Sequence, residues 1–238
     1  MQFPVRISSV HSWIPINPIS LSVYFSLFGV VSLLELLACA LEKEKMRIVL
    51  KPFCAFVLFF AVWMSFPLQW AFYLGLLFGV IGDLFLIYPK NPKCLGIGIF
   101  SFLLEHVLLM TETSFLLAGR VGKSTILALS LSAVLFYALA VFLTSAFYRL
   151  KGVLLFGGSL YALALVGDLV LQILGFVLRG GGFLYGIPGG LFFLASDFIL
   201  TFTLFKKDFR RSNLPIMLTY LVAQLFYTLS LSSALLEA

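Results

Sequence analysis

Phe78-Gly79-Val80-Ile81-Gly82-Asp83-Leu84-Phe85-Leu86-Ile87-Tyr88 sets a carboxylate inside a run that otherwise holds only glycine, aliphatic and aromatic side chains. Outward from Asp83 the apolar character reaches back to about residue 68 and forward to Tyr88. That length suits one crossing of a bilayer core, which takes about 20 apolar residues per helix. A charged side chain in such a helix costs roughly 2.5 to 3.5 kcal/mol on insertion scales, so an acid kept there marks a functional site with partners to be found.

The same criterion applied to the whole chain gives eight spans, at about 19–41, 48–64, 68–88, 94–117, 124–147, 152–178, 184–205 and 213–235. The fold class is therefore all-α, a polytopic membrane bundle of eight transmembrane helices forming one domain over residues 18–238. Residues 1–17, with Pro4, His11, Trp13 and Pro15, read as an exposed or interfacial leader without a signal-peptide core. Composition agrees: 62% of the 238 residues are hydrophobic and 11% charged, against about 45–50% and about 25% in soluble domains.

The net charge of +6 invites a nucleic-acid reading, but the basic residues lie in short loops between the spans, so membrane lipids are the partners and nucleic acid is not. Lys43, Lys45, Arg47, Lys51, Lys90, Lys93, Arg149, Lys151, Lys206, Lys207, Arg210 and Arg211 fall at one end of the bundle. Arg6, Arg120, Lys123 and Arg179 fall at the other. The richer end is expected to be cytoplasmic, with both termini on the opposite side, in the inner or plasma membrane of a bacterium.

Span seven repeats the design of span three. Gly75, Gly79 and Gly82 precede Asp83, and Gly189 and Gly190 precede Asp197, on helices running toward the same end. Such small residues let neighbouring helices approach closely in lipid. His106 lies in the fourth span, while Tyr220 and Gln224 share a face of the eighth at i, i+4. Together they suggest a polar pocket among spans three, four, seven and eight around two acids, opening toward the basic loops. Glu105 is rotated about 100° from His106 and is not automatically its partner. Glu35 and Asp168 can be site-lining or packing residues.

Several chemistries lack their signatures. There is no GxSxG and no phosphate-binding glycine loop. Cys39, Cys54 and Cys94 have no paired spacing, and the second histidine, His11, lies outside the spans, so no metal and no cofactor is expected.

These residues, in order, resemble the lysoplasmalogenase-like, or YhhN, family of eight-span membrane proteins. The likeness rests on Gly82-Asp83-Leu84-Phe85-Leu86, His106, Gly189-Gly190-Leu191-Phe192-Phe193-Leu194-Ala195-Ser196-Asp197, Thr219-Tyr220-Leu221-Val222-Ala223-Gln224 and the Lys51-Pro52 entry to span two, over about residues 48–230. The chain departs from the family pattern at Leu109 and Leu221, where aromatics are usual.

The resemblance implies hydrolysis of the vinyl-ether bond of a lysophospholipid of the lysoplasmalogen type, giving a fatty aldehyde and a glycerophospho-alcohol. Such cleavage protonates the double-bond carbon distal to the ether oxygen and leaves an oxocarbenium ion for water to attack. Paired carboxylic acids suit that sequence, as they do in glycosidases. The resemblance thus implies Asp83 and Asp197 as the catalytic pair and Lys51 as a phosphate ligand. His106, Tyr220, Gln224 and Ser196 would then position water or substrate. A lipid or proton-coupled transporter and a non-catalytic membrane scaffold are the competing readings. A transporter would use intramembrane acids to move substrate without breaking a bond.

Overall fold

The structure, a computed structural model, describes residues 18–67, 69–147 and 151–237. It consists of eight helices, α1 (Pro18–Ala40), α2 (Glu44–Ser65), α3 (Trp70–Phe85), α4 (Pro92–Leu116), α5 (Lys123–Phe147), α6 (Gly152–Arg179), α7 (Phe183–Phe205) and α8 (Asn213–Leu236). Their bounds fall within four residues of those expected from the apolar runs. The expected leader at residues 1–17 lies outside the described residues.

Local chemistry sets several ends. Pro92 occupies the first turn of α4, where its missing N–H costs nothing, and the Asn91 side chain accepts from the Lys93 amide. At the far end of α6, Gly180 takes φ 69°, which ends the helix without a Cβ clash.

Among the described residues, seven helices are long and apolar enough to cross a membrane. The exception is α3, with 16 residues, or about 24 Å at the helical rise, against a core of about 30 Å. It is shorter than the 68–88 expected because the chain leaves the helix at Leu86 and makes turns before the Asn91-Pro92 cap.

The helices are arranged as a ring, α1, α2, α3, α4, α6, α7 and α8 in that order, with α8 closing onto α1 and also touching α2 and α4. This inward position gives α8 a long buried list, including Tyr220, Gln224 and Tyr227. Helix α5 rests against α6 outside the ring, and none of its residues whose exposure is described is buried within the protein. Side chains such as Val134 and Leu135 on α5 therefore point outward, as expected where lipid is the solvent. At the basic end, Arg210 and Arg211 approach Glu42 at 3.7 and 3.6 Å, linking the α7–α8 and α1–α2 connections. These exposed pairs contribute little to stability.

The glycines of α3 act through α4. A Cβ at Gly79 would stand 2.8 Å from both carboxylate oxygens of Glu105, and one at Gly82 would stand 2.7 Å from the Phe102 ring. Gly79 thus makes room for a buried acid on the neighbouring helix. Gly79→Ala is expected to destabilise the protein by about 1–3 kcal/mol through overpacking, read as a lower unfolding temperature in detergent. Gly29→Ala is the matched control, because no atom lies within 4 Å of its Cβ position.

Candidate active site

Two acid centres are built from six helices, α2, α3, α4, α6, α7 and α8. At the first, the short α3 presents Asp83, only 1% exposed, toward α2 and α8. Tyr220 O–H donates to Asp83 Oδ2 at 2.8 Å. Lys51 Nζ lies 3.5 Å from Oδ1, an ion pair without hydrogen-bond geometry. Gln224, one turn along α8, donates from Nε2 to Tyr220 Oη at 3.1 Å and to Glu105 Oε1 at 2.8 Å. The i, i+4 spacing of Tyr220 and Gln224 therefore joins the acids of α3 and α4 into one chain, beginning at Lys51. Glu105 is fully buried, and its Oε2 has no hydrogen-bond partner among the described residues.

The second centre lies between α4, α6 and α7. Tyr161 O–H donates to Asp197 Oδ2. His106 Nδ1 is 2.8 Å from Asp168 Oδ2, with both side chains fully buried. Ser196 Oγ donates to the Ile216 carbonyl at 3.1 Å and so ties α7 to α8. Aromatic rings lie between the two centres. Phe193 meets His106 edge-on with centroids 4.5 Å apart and meets Tyr220 at 5.6 Å, and Phe102 packs against both Phe193 and Tyr220.

An apolar cleft of about 250 Å³ runs along α4, α6 and α7 from the basic-loop end. Leu86, Leu95, Leu154 and Phe205 line it near the helix ends, and Phe102, Leu165 and Leu194 line it deeper. Its only polar side chains among the described residues are Asp197, Tyr161 and Thr201. Asp197 is eight residues from the end of α7, or about 12 Å in depth.

The expected grouping is thus redistributed. Asp197 reaches the cleft, whereas Asp83 and Tyr220 are held in the Lys51–Gln224 chain and do not line it. Lys51 points inward to Asp83, with 11% of its side chain exposed, and not outward to the headgroup level. His106 stands behind Tyr161 and Phe193, paired to Asp168. Helix α6 replaces α3 and α8 as the partner of α7 in forming the cleft.

Glu105, Asp168 and Tyr161 were not assigned a role by sequence reasoning. Glu105 carried a usable signal. It is an intramembrane acid like Asp83, and it shares a helical face at i, i+7 with another buried acid, Glu112. Glu35 belongs elsewhere, with Oε1 3.4 Å from Arg47 Nε and 3.4 Å from Cys39 Sγ. Among the described residues, no three His, Cys, Asp or Glu side chains are grouped to hold a metal.

The family model described as the YhhN family matches residues 46–231. No curated protein and no solved structure matches the chain.

Proposed function

The chain belongs to the YhhN family, and on that footing we propose that it is a membrane-embedded hydrolase that cleaves the vinyl ether of lysoplasmalogen-type lysophospholipids. The observation that carries this reading is the place of Asp197, a carboxyl group on the wall of a cleft that, apart from Tyr161 and Thr201, is hydrocarbon. The apolar walls suit the lipid, and the acid suits the bond.

The chemistry follows from the contacts. Asp197 donates a proton to the double-bond carbon distal to the ether oxygen, while Tyr161 fixes the carboxyl through Oδ2. The resulting carboxylate faces the oxocarbenium ion and stabilises it. Water adds at the carbon bonded to the ether oxygen and returns a proton to Asp197, the same switch from acid to base that retaining glycosidases use. The hemiacetal then breaks its bond to the glycerol oxygen, releasing aldehyde and glycerophospho-alcohol. One water is consumed and the acid is regenerated.

Asp83 has a supporting role in this scheme. With Lys51 and Tyr220 bound to it, it fixes α2, α3 and α8 around the aromatic wall formed by Phe102 and Phe193. The exposed Lys90, Lys93, Lys151 and Lys207, near the helix ends where the cleft begins, take the place assigned to Lys51 as partners for the lipid phosphate.

The test is mass spectrometry of lysoplasmalogen before and after incubation with the purified protein in liposomes. Loss of the lysolipid should be matched by equal amounts of aldehyde and glycerophospho-alcohol. Redistribution of intact lysolipid across the bilayer, without cleavage, would sink the hydrolase reading and favour a carrier.

A further inference from the structure

We propose that Gly158 is the entry residue of the cleft, the position whose missing side chain lets a single-chain lipid reach Asp197. The inference rests on the reading of the cleft as a lipid site. Along α6 the cleft is lined by Leu154, Gly158, Tyr161, Ala162 and Leu165, at i, i+4, i+7, i+8 and i+11, one face of the helix. Gly158 therefore stands one turn nearer the basic loops than Tyr161, which holds Asp197. A lipid whose phosphate stays at the lysines and whose reactive bond lies at Asp197 passes over it.

Neither backbone nor packing accounts for a glycine here. Gly158 lies within α6 and is not among the residues with positive φ, so any side chain suits its backbone. Several glycines in the bundle admit neighbours, as at Gly186, where a Cβ would stand 2.0 Å from Gln172 Oε1. At Gly158 a Cβ would meet no atom within 4 Å, and the space in front of it is the cleft. Open space alone does not distinguish the position, since Gly157 has it too. The difference is that Gly158 lines the cleft and Gly157 does not.

The occupant is a lipid with one hydrocarbon chain and a phosphate in its headgroup. The walls are hydrocarbon, and the exposed lysines of the α3–α4, α5–α6 and α7–α8 connections supply the complementary charge at the end where the cleft begins.

Gly158→Leu places four carbons in the passage while leaving the α6 backbone and its neighbours undisturbed, and Gly157→Leu is the matched control. The probe is a photoreactive lysophosphatidylethanolamine with a saturated chain, which has no vinyl ether to cleave, used on the full-length protein in liposomes. Wild type and Gly157→Leu should label equally on α6 and α7, and Gly158→Leu about tenfold less. Labelling of Gly158→Leu at the wild-type level would overturn the proposal, as would an equal loss in Gly157→Leu. A second arm measures aldehyde release, where Gly158→Leu should raise KM about tenfold with kcat retained. If labelling depends on Gly158 but the wild type releases no aldehyde, the entry stands and the hydrolase reading falls. If Gly158→Leu cleaves with an unchanged KM, the entry falls and the hydrolase reading stands.

Discussion

Asp197→Asn is expected to lower the rate of aldehyde release by about 10²- to 10⁴-fold, the range that a positioned general acid contributes. The substitution is nearly isosteric, and the amide oxygen can still accept from Tyr161, so the cleft keeps its shape. What is lost is the proton for carbon and the negative charge that faces the cation. Because neither belongs to ground-state binding, kcat should fall while KM changes little. The measurement is aldehyde trapped from liposomes containing equal amounts of folded wild-type and variant protein. Activity in Asp197→Asn within a few-fold of wild type would remove Asp197 from the chemistry.

Lys51→Met is expected to produce the largest loss of stability of any single change in the site, about 3–5 kcal/mol, because it leaves the buried Asp83 carboxylate without its cation. Asp83 is 1% exposed and the Lys51 side chain 11%, so little solvent is available to replace the lost partner. Combining Lys51→Met with Asp83→Asn removes both charges and should recover most of the stability, since uncharged replacements of a buried pair are often close to neutral. Denaturant unfolding of the two single variants and the double variant gives the coupling directly. Additive losses would contradict the pairing. A Lys51→Met protein of wild-type stability with a raised KM would restore Lys51 to the phosphate.

Periodic features of the molecule were legible in the sequence. Helices α1 to α8 follow from apolar runs of bilayer length, and a close helix approach at α3 follows from Gly75 and Gly79, with α4 as the partner that the structure supplies. The i, i+4 pair Tyr220 and Gln224 was legible as one polar face. Its partners were not, because the bond from Tyr220 to Asp83 spans 137 positions and that from Gln224 to Glu105 spans 119. Pairings of that separation depend on ring order, and in this ring α5 is left outside so that α4 meets α6. This skip brings Asp168 on α6 to His106 on α4, while Tyr161 meets Asp197 across the consecutive helices α6 and α7, and no local spacing encodes either contact. Lys51 was misleading for a related reason. A lysine about 10 Å into a helix can reach the headgroups by snorkelling, but the Asp83 carboxylate on the next helix, 3.5 Å from its Nζ, holds it inside.

The central claim is that cleavage begins with proton transfer from the protein to the vinyl carbon in the Asp197 cleft. It is tested most directly by turning over a lysoplasmalogen in D₂O, trapping the aldehyde as it forms and locating the deuterium by mass spectrometry. The account predicts a single deuterium on the carbon next to the aldehyde carbonyl, formed at the wild-type rate only when Asp197 is present. Aldehyde released without deuterium at that carbon, or released equally fast by Asp197→Asn, would contradict it.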